Sequence, residues 1–457
     1  MENEKYIKEL MEKARIAQKG IEDYSQEQID RLVKIIGKTV YDNAEMFAKE
    51  AVEETGFGLV QSKIFKKQKG CAATWQFLKD KKSVGLIEVD EENGLLVYAK
   101  PIGVGACICP STNPVSTVAH NGMSLVKCRN AMIVAPHPSA KKCTAHGVHL
   151  INEALKKAGA PENLIQVIEE PSLELSQLLM QCADVVIATG GPGMVKSAYS
   201  SGKPSYGVGP GNMQVLFAED YEDYEKAAEL IVNNRNYDYG IPCTSEQFLI
   251  FPKKKQEKAL AALKAQGAFL IEDEDQADIV RKNLFLDSGR INVKFVGMGA
   301  AQIAKELGIE APENTRMLLL KAKGSAKNDV ICREKLCPVD GYFAYDNFEE
   351  GLTFALDNLL MEGKGHSSVI YSNDDEVIRR VGEVLPVGRI LVNQAGSTAS
   401  GGSLMNGLAP TLSLGCGFWG NNSISENLTY KHLMNITRVA YVKKNATPPD
   451  YDKIWED

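Results

Sequence analysis

No apolar stretch in this 457-residue chain approaches the ~20 residues needed to span a bilayer. The opening segment, MENEKYIKELMEKARIAQKG, also lacks the basic start, apolar core and small-residue cleavage site of a secretory signal. A cytoplasmic location is expected. Ten cysteines are present, yet Cys107 and Cys109 form only a C-x-C, and no C-x-x-C occurs with a matching second pair to hold zinc. No metal is expected. Dense positive charge is missing as well: 52 basic residues stand against 59 acidic ones for a net charge of −7, with Lys253 to Lys255 the only notable basic run. That balance argues against nucleic acid or an anionic membrane as partner. Neither an internal repeat nor a low-complexity linker interrupts the chain.

What is present is ordinary globular material, 44% apolar and 24% charged, in a chain too long for one small core. Two or three domains are therefore expected. In a reducing compartment the cysteines stay as thiols, which keeps a thiolate available as nucleophile.

Ile7, Leu10, Met11, Ala14 and Ala17 follow helical spacing, and Ser25 with Gln28 forms a capping-box start for a second helix. SVGLIEVDEENGLLVYAKPIG then alternates as two strands about a turn at Gly94, a hairpin over 84–102. From residue 131 the pattern becomes strand and helix in alternation: AMIVA, a helix closed by Gly159, NLIQVIE, ELSQLLMQC, DVVIATGG, GMVKSAYSS and MQVLFAE. This predicts an open parallel sheet with helices on both faces. A second α/β pattern starts near Asn236 with FLIF and runs through MLLLKAK, VDGYFAYD, SSVIYS and RILVNQ. The predicted organisation is a nucleotide-binding domain over 1–235, a catalytic domain over 236–412, and a return to the first domain with a terminal strand over 413–457.

Ligands of open parallel sheets bind outside the carboxyl ends of strands. Three Gly- or Pro-rich tips fall there, APHPSAKK, ATGGPGMVK and GVGPGN, each a candidate dinucleotide contact. None is G-x-G-x-x-G, and glycine-rich turns are more often plain turns. Cys243, in NYDYGIPCTSEQF, lies on a loop at the seam of the two domains. Taken alone it is one thiol among ten, and free cysteine is usually a small buried hydrophobe.

Several stretches taken together change that weighting: PSTNP at 110–114, APHP at 135–138, ATGGPGMVKSAYSSGKPSYGVGPGN at 188–212, CTSEQ at 243–247, EKLCPV at 334–339 and LGCGFWGNNSISENLTYKHLMN at 414–435. In this order, over nearly the whole chain, they resemble the coenzyme A-acylating branch of the aldehyde dehydrogenase superfamily. The resemblance implies an α/β fold with a Rossmann-type nucleotide-binding domain, a second catalytic domain and an oligomerisation hairpin. It makes Cys243 the nucleophile: a thiolate adds to an aldehyde, the adduct expels hydride to a nicotinamide, and a thioester remains. Asn113 would donate its amide to the oxyanion, against the plainer reading of an Asx turn before Pro114. Glu334 would hold the nicotinamide ribose, unless it is simply a surface charge. Ser111, Thr112, His137, Pro138, Ser139, Thr189, Gly190, Gly191, Gly207 and Gly209 would complete the cofactor site. Thr398, Ser400 and Ser403 would line the aldehyde's tail, although such segments are usually only loops. His366 is expected to be a satisfied structural histidine with no catalytic role.

One departure from the superfamily bears on the reaction. Hydrolysing members carry a glutamate at the head of an E-L-G-G-K motif, where this chain has Gly207 in GVGPGN. Without that base the thioester should wait for the thiol of coenzyme A. The expected reaction is the reversible oxidation of a short aldehyde, succinate semialdehyde first, to its acyl-CoA with NAD or NADP. Acetaldehyde and sulfoacetaldehyde are alternative substrates, and an idle structural subunit is the alternative from another class. Ser139, Lys141 and Lys142, with no acidic residue in their turn, are expected to welcome the 2′-phosphate of NADP. The family also implies a homo-oligomer, at least a dimer, in which the hairpin pairs with a partner's terminal strand at ITRVAYVK.

Overall fold

The computed structural model describes residues 2–444 and 446–456. Four helices open the chain: α1 (Glu2–Gly20), α2 (Gln26–Asp42), α3 (Ala44–Thr55) and α4 (Val60–Leu78). The apolar stripe of α1 is buried as its spacing requires, and Ser25 and Gln28 close the capping box of α2 reciprocally. The hairpin follows as β1 (Gly85–Asp90) and β2 (Leu95–Pro101), antiparallel, with Gly94 at φ +66° in the turn.

Next come β3 (Val104–Ile108), α5 (Pro114–Lys127), β4 (Ala131–Ala135), α6 (Lys141–Lys157), β5 (Ile165–Val167), α7 (Leu173–Cys182), β6 (Val185–Thr189), α8 (Pro192–Tyr199) and β7 (Ser205–Val208). The five strands form a parallel sheet in the order β5-β4-β3-β6-β7. The chain builds outward from β3 to β5 and then returns to the other side of β3. That reversal between β3 and β6 opens a crevice at their carboxyl ends. The central strand, β3, was not distinguished in the sequence because VGACI follows directly on the hairpin without a turn cluster of its own.

The second sheet begins earlier than the sequence pattern implied. It is built from β8 (Met213–Phe217), α9 (Tyr224–Asn236), β9 (Glu246–Pro252), α10 (Gln256–Ala265), β10 (Ala268–Ile271), α11 (Glu274–Leu284), α12 (Ala300–Glu306), β11 (Met317–Lys321), β12 (Val339–Tyr345), α13 (Phe348–Met361), β13 (Gly365–Tyr371), α14 (Asp375–Val384) and β14 (Val387–Val392). Its order is β10-β11-β12-β9-β8-β13-β14, with every pairing parallel. MQVLF is thus not a further strand of the first sheet, and the chain crosses between sheets just after Val208 rather than at 236. An all-apolar strand does not state which sheet it joins; β8 is held by long-range pairing to β9 and β13. Separate apolar clusters fill the two faces of this sheet, one around Phe248, Ile250 and Leu320, the other around Phe217, Leu249 and Tyr371.

After α15 (Gly396–Ala399) the chain returns to the first domain, burying Leu428, Tyr430 and Leu433 in its core. Asn130 Nδ2 donates to the Leu433 carbonyl at 2.7 Å and delivers β15 (Met434–Ala440) to the hairpin. The strand then pairs antiparallel with β2 of its own chain, Met434 opposite Pro101 and Ala440 opposite Leu95. The expected pairing with a partner's strand is therefore corrected: the return path places this chain's own strand on that edge first. No helix among the described residues is long and apolar enough to cross a membrane.

Candidate active site

A cavity of about 1130 Å³ lies between the carboxyl ends of the first sheet and the amino ends of β9 and β13 in the second. Cys243 enters it from the loop before β9. That loop is unusual in its backbone: Asp238, Tyr239 and Gly240 have φ of +50°, +51° and +69°. Left-handed conformations cost of order 1–3 kcal/mol at non-glycine residues, so the loop needs an anchor. The anchor is the fully buried Asp238 carboxylate, which accepts from the Leu59 amide at 2.9 Å, Lys63 Nζ at 3.1 Å and Lys66 Nζ at 2.7 Å. Burial alone would raise its pKa, but Lys66 and Lys63 hold it below the ordinary range. On the other side the loop presses on Gly211, where a Cβ would stand 1.8 Å from the Cys243 carbonyl oxygen. Only glycine fits there.

The Cys243 sulfur faces His366 Nε2 at 3.2 Å. His366, the second residue of β13, was expected to be structural; the second sheet brings it against Cys243. Nothing local in GKGHSSVIYS signals this, because the proximity arises from two strands separated in sequence. Burial pushes the Cys243 thiol up to about 12, reinforced by Glu334 and Cys416, while Arg389 and the residue's own backbone amide pull it down. Burial lowers His366 to about 3, with Arg389 adding to the effect, so the imidazole is neutral. Glu334 lies across the site, accepting from the Gly211 amide at 3.0 Å. Burial and then Glu362 raise its pKa to about 8. It is not a solvated surface charge.

Asn113 occupies the N-cap position of α5 but makes no capping bond. Its Oδ1 accepts from Lys66 Nζ at 2.5 Å, which turns the amide nitrogen away from the lysine, its only other contact being a long one to Thr112 Oγ1 at 3.4 Å. The Asx turn is therefore not formed, and a donor is left at the cavity wall. Asn113→Ala is expected to lower kcat by about 10²–10³-fold with a smaller effect on KM, the usual loss for one oxyanion donor. Steady-state rates check this, and an unchanged kcat would remove Asn113 from the chemistry.

Of the remaining sequence-derived residues, Ser111, Thr112, His137, Pro138, Thr189, Gly190, Gly191, Gly209, Glu334 and Thr398 line the same cavity. Four do not. Ser139 turns its hydroxyl to His137 Nδ1 at 2.8 Å. Ser400 is fully buried away from the cavity, and Ser403 Oγ accepts from the Met405 amide at 3.1 Å. Gly207, inside β7, points toward α8: a Cβ there would meet Val195 Cγ1 at 2.7 Å and Tyr199 Cε2 at 3.0 Å. Lys141 pairs with Glu170, and Glu54 accepts from the Lys142 and Cys143 amides at 2.8 Å each. The turn thus has acidic neighbours that the local sequence did not show. Lys66 and Lys69, which the sequence reading passed over, both line the cavity.

The crevice at the carboxyl ends of a parallel sheet thus opens onto the Cys243 thiol, with Asn113 lining the same cavity. Residues 1–283 match the model described as the aldehyde dehydrogenase family. The chain is 53% identical over 455 residues to a succinate-semialdehyde dehydrogenase (acetylating) of Clostridium kluyveri, covering all of both chains. Among solved structures it resembles an acetylating aldehyde dehydrogenase of Geobacillus thermoglucosidasius (39% identity, TM-score 0.94, 98% and 99% of the two chains). It also resembles a propionaldehyde dehydrogenase of Rhodopseudomonas palustris solved with bound CoA and an acylated cysteine (25% identity, TM-score 0.86, 96% and 97% of the two chains). The chain belongs to the aldehyde dehydrogenase family, among its acylating members.

Proposed function

We propose that this protein is an NAD(P)-dependent, coenzyme A-acylating aldehyde dehydrogenase acting on a short acid-bearing aldehyde, with succinate semialdehyde the first candidate. The observation that carries the substrate class is Lys69. Its ammonium is half-buried in the cavity wall, donates to the Thr398 carbonyl at 2.6 Å and has no carboxylate partner among the described residues. Burial lowers its pKa, the mark of a cation without a counter-charge. Lys66, by contrast, is already paired with Asp238. A substrate that brings its own carboxylate, or a sulfonate, completes Lys69.

The crevice suits a dinucleotide: at Gly191 and Gly193, at the start of α8, and at Gly209 an added Cβ would meet nothing within 4 Å, so the backbone is open to close approach. When bound, the nicotinamide supplies the hydride acceptor. The sulfur of Cys243 bonds to the aldehyde carbon, and Asn113 holds the resulting oxyanion. Departure of hydride leaves the acyl group as a thioester on Cys243. The sulfur of coenzyme A then attacks the thioester, Cys243 leaves and takes up the proton that the coenzyme A thiol gives up, and acyl-CoA is released. Both carboxylates of the wall among the described residues are already engaged by backbone amides. Of the two, Glu334, at about 8, is protonated at neutral pH, and Glu362 accepts from the Glu334 amide at 2.8 Å. Exposed Leu86, Val89 and Val439 on the hairpin sheet support a homo-oligomer joined there, to be measured by light scattering.

Initial rates with two- to four-carbon aldehydes and acyl-CoAs, with and without a terminal acid, test the substrate class. Succinate semialdehyde or another acid-bearing substrate should lead in kcat/KM. Lys69→Met should lower that value roughly 10- to 100-fold for acid-bearing substrates, the worth of a charge-assisted bond, and leave butanal nearly unchanged. Equal loss for both would place Lys69 outside tail recognition.

A further inference from the structure

Beneath the cysteine and histidine lies a cation with no apparent counterpart. Arg389, on β14, is 5% exposed and makes no ion pair among the described residues. Its Nη1 donates to the His366 carbonyl at 3.0 Å and to Ser367 Oγ at 3.3 Å, and its Nη2 donates to the Gly415 carbonyl. Buried guanidinium groups are ordinarily matched by carboxylates, as Arg235 is by Asp340 and Arg281 by Asp329 in this same domain. The ionisable groups that act on Arg389 are instead two thiols, Cys416 and Cys243.

The hydrogen bonding carries the charge's influence further. A guanidinium can only donate, so Ser367 Oγ accepts from Arg389. The serine hydroxyl keeps its proton to donate, and among the described residues its other hydrogen-bond partner is His366 Nδ1, at 3.1 Å. Donation from Ser367 to Nδ1 would leave the neutral imidazole with its proton on Nε2, the nitrogen that faces the Cys243 sulfur at 3.2 Å. In that tautomer His366 donates to the sulfur and is unable to take its proton.

We propose that Arg389 is a positioning residue of the reaction: a buried counter-charge for the Cys243 thiolate that, through Ser367, also sets His366 to donate to that sulfur. This rests on the reading of Cys243 as nucleophile. His366 from β13 touches the sulfur, and the charged or ionisable groups that act on it are Glu334 from the segment before β12, Cys416 from the loop beyond β14 and Arg389 from β14. Glu334 and Cys416 disfavour the thiolate, His366 in the stated tautomer and Arg389 favour it. Arg389 therefore offsets part of the cost that burial places on the thiolate, and removing that charge makes the thiolate harder to form.

The test is the pH dependence of Cys243 alkylation by iodoacetamide in the whole enzyme, read on the Cys243 peptide by mass spectrometry so that the other nine cysteines do not interfere. Two substitutions separate charge from clamping. Arg389→Gln keeps a donor for the carbonyls and loses the charge; its alkylation midpoint should move up by about one pH unit or more, the usual effect of one nearby charge. Arg389→Lys keeps the charge and loses most of the clamp; its midpoint should stay near that of the wild type. Ser367→Ala, which leaves Arg389 in place, should raise the midpoint by less than Arg389→Gln and lower kcat more than it changes KM. If Arg389→Gln alkylates with the wild-type pH profile, or Arg389→Lys shifts as far as Arg389→Gln, the residue is a structural clamp and the proposal fails. Should Arg389→Gln not fold, a wild-type midpoint in Arg389→Lys supports the proposal, and a raised one overturns it. Because alkylation needs no turnover, these outcomes are independent of whether Cys243→Ala retains activity, which is the separate test of the nucleophile itself.

Discussion

Cys243→Ala is expected to abolish NAD(P)H formation, by at least about 10⁴-fold, while the protein remains folded. The substitution removes the atom that bonds to the aldehyde, and no oxygen or nitrogen of the wall stands in its place. Its structural cost should be small, because the loop is anchored by Asp238 and by Gly211 rather than by the thiol. Retention of even a tenth of the wild-type rate, with an unchanged melting temperature and circular dichroism spectrum, would falsify Cys243 as the nucleophile. Other cysteines provide an internal control: Cys107, Cys128, Cys332 and Cys337 are buried in the hydrophobic cores, and their replacement should change stability more than turnover.

Without coenzyme A, aldehyde and NAD(P)+ should yield a burst of about one NAD(P)H per active site and then near silence, and added coenzyme A should restore turnover. The two carboxylates of the wall, Glu334 and Glu362, are engaged by backbone amides, so attack by water on the thioester is expected to be slow. Gly207→Glu does not install a hydrolytic base, since the side chain would be driven into Val195 and Tyr199 on α8 rather than into the cavity. That variant should lose stability by about 1–3 kcal/mol, the range for overpacking, and gain no acid-forming activity. Rapid-mixing absorbance at the nicotinamide band decides the main point. Sustained turnover with release of free acid in the absence of coenzyme A would return the chain to the hydrolysing members of its family.

Much of the site was legible because its residues come in short contiguous motifs whose chemistry is local. PSTNP brings Ser111, Thr112 and Asn113 to the end of β3, and ATGGPG places open backbone at the start of α8. Such stretches follow a strand or open a helix, and the strand's end is where a parallel sheet binds its ligand. The reading failed where the chemistry depends on partners far apart in sequence. Ser400 and Ser403 share the composition of Thr398 but not its wall of the cavity. Lys66 and Lys69 look like ordinary helix-surface lysines until α4 is seen packed against the Asp238 loop and Thr398. His366, a lone histidine before an apolar strand, is indistinguishable from a core histidine without its 3.2 Å contact to Cys243.

Taken alone, then, the amino-acid order determined the alternating parallel architecture, the hairpin about Gly94 and the crevice loops, since each depends on periodicity, turn chemistry or a motif within a few residues; Cys243 and Asn113 were singled out only by the resemblance their motifs carry. Tertiary structure decided which sheet received β8, that β15 joins β2 of its own chain, that Gly207 faces a helix, and that one unpaired arginine and one neutral histidine stand behind the sulfur. Those facts are set by pairing and burial between segments tens to hundreds of residues apart, and the charge state of a buried group depends on what surrounds it rather than on what adjoins it in the chain.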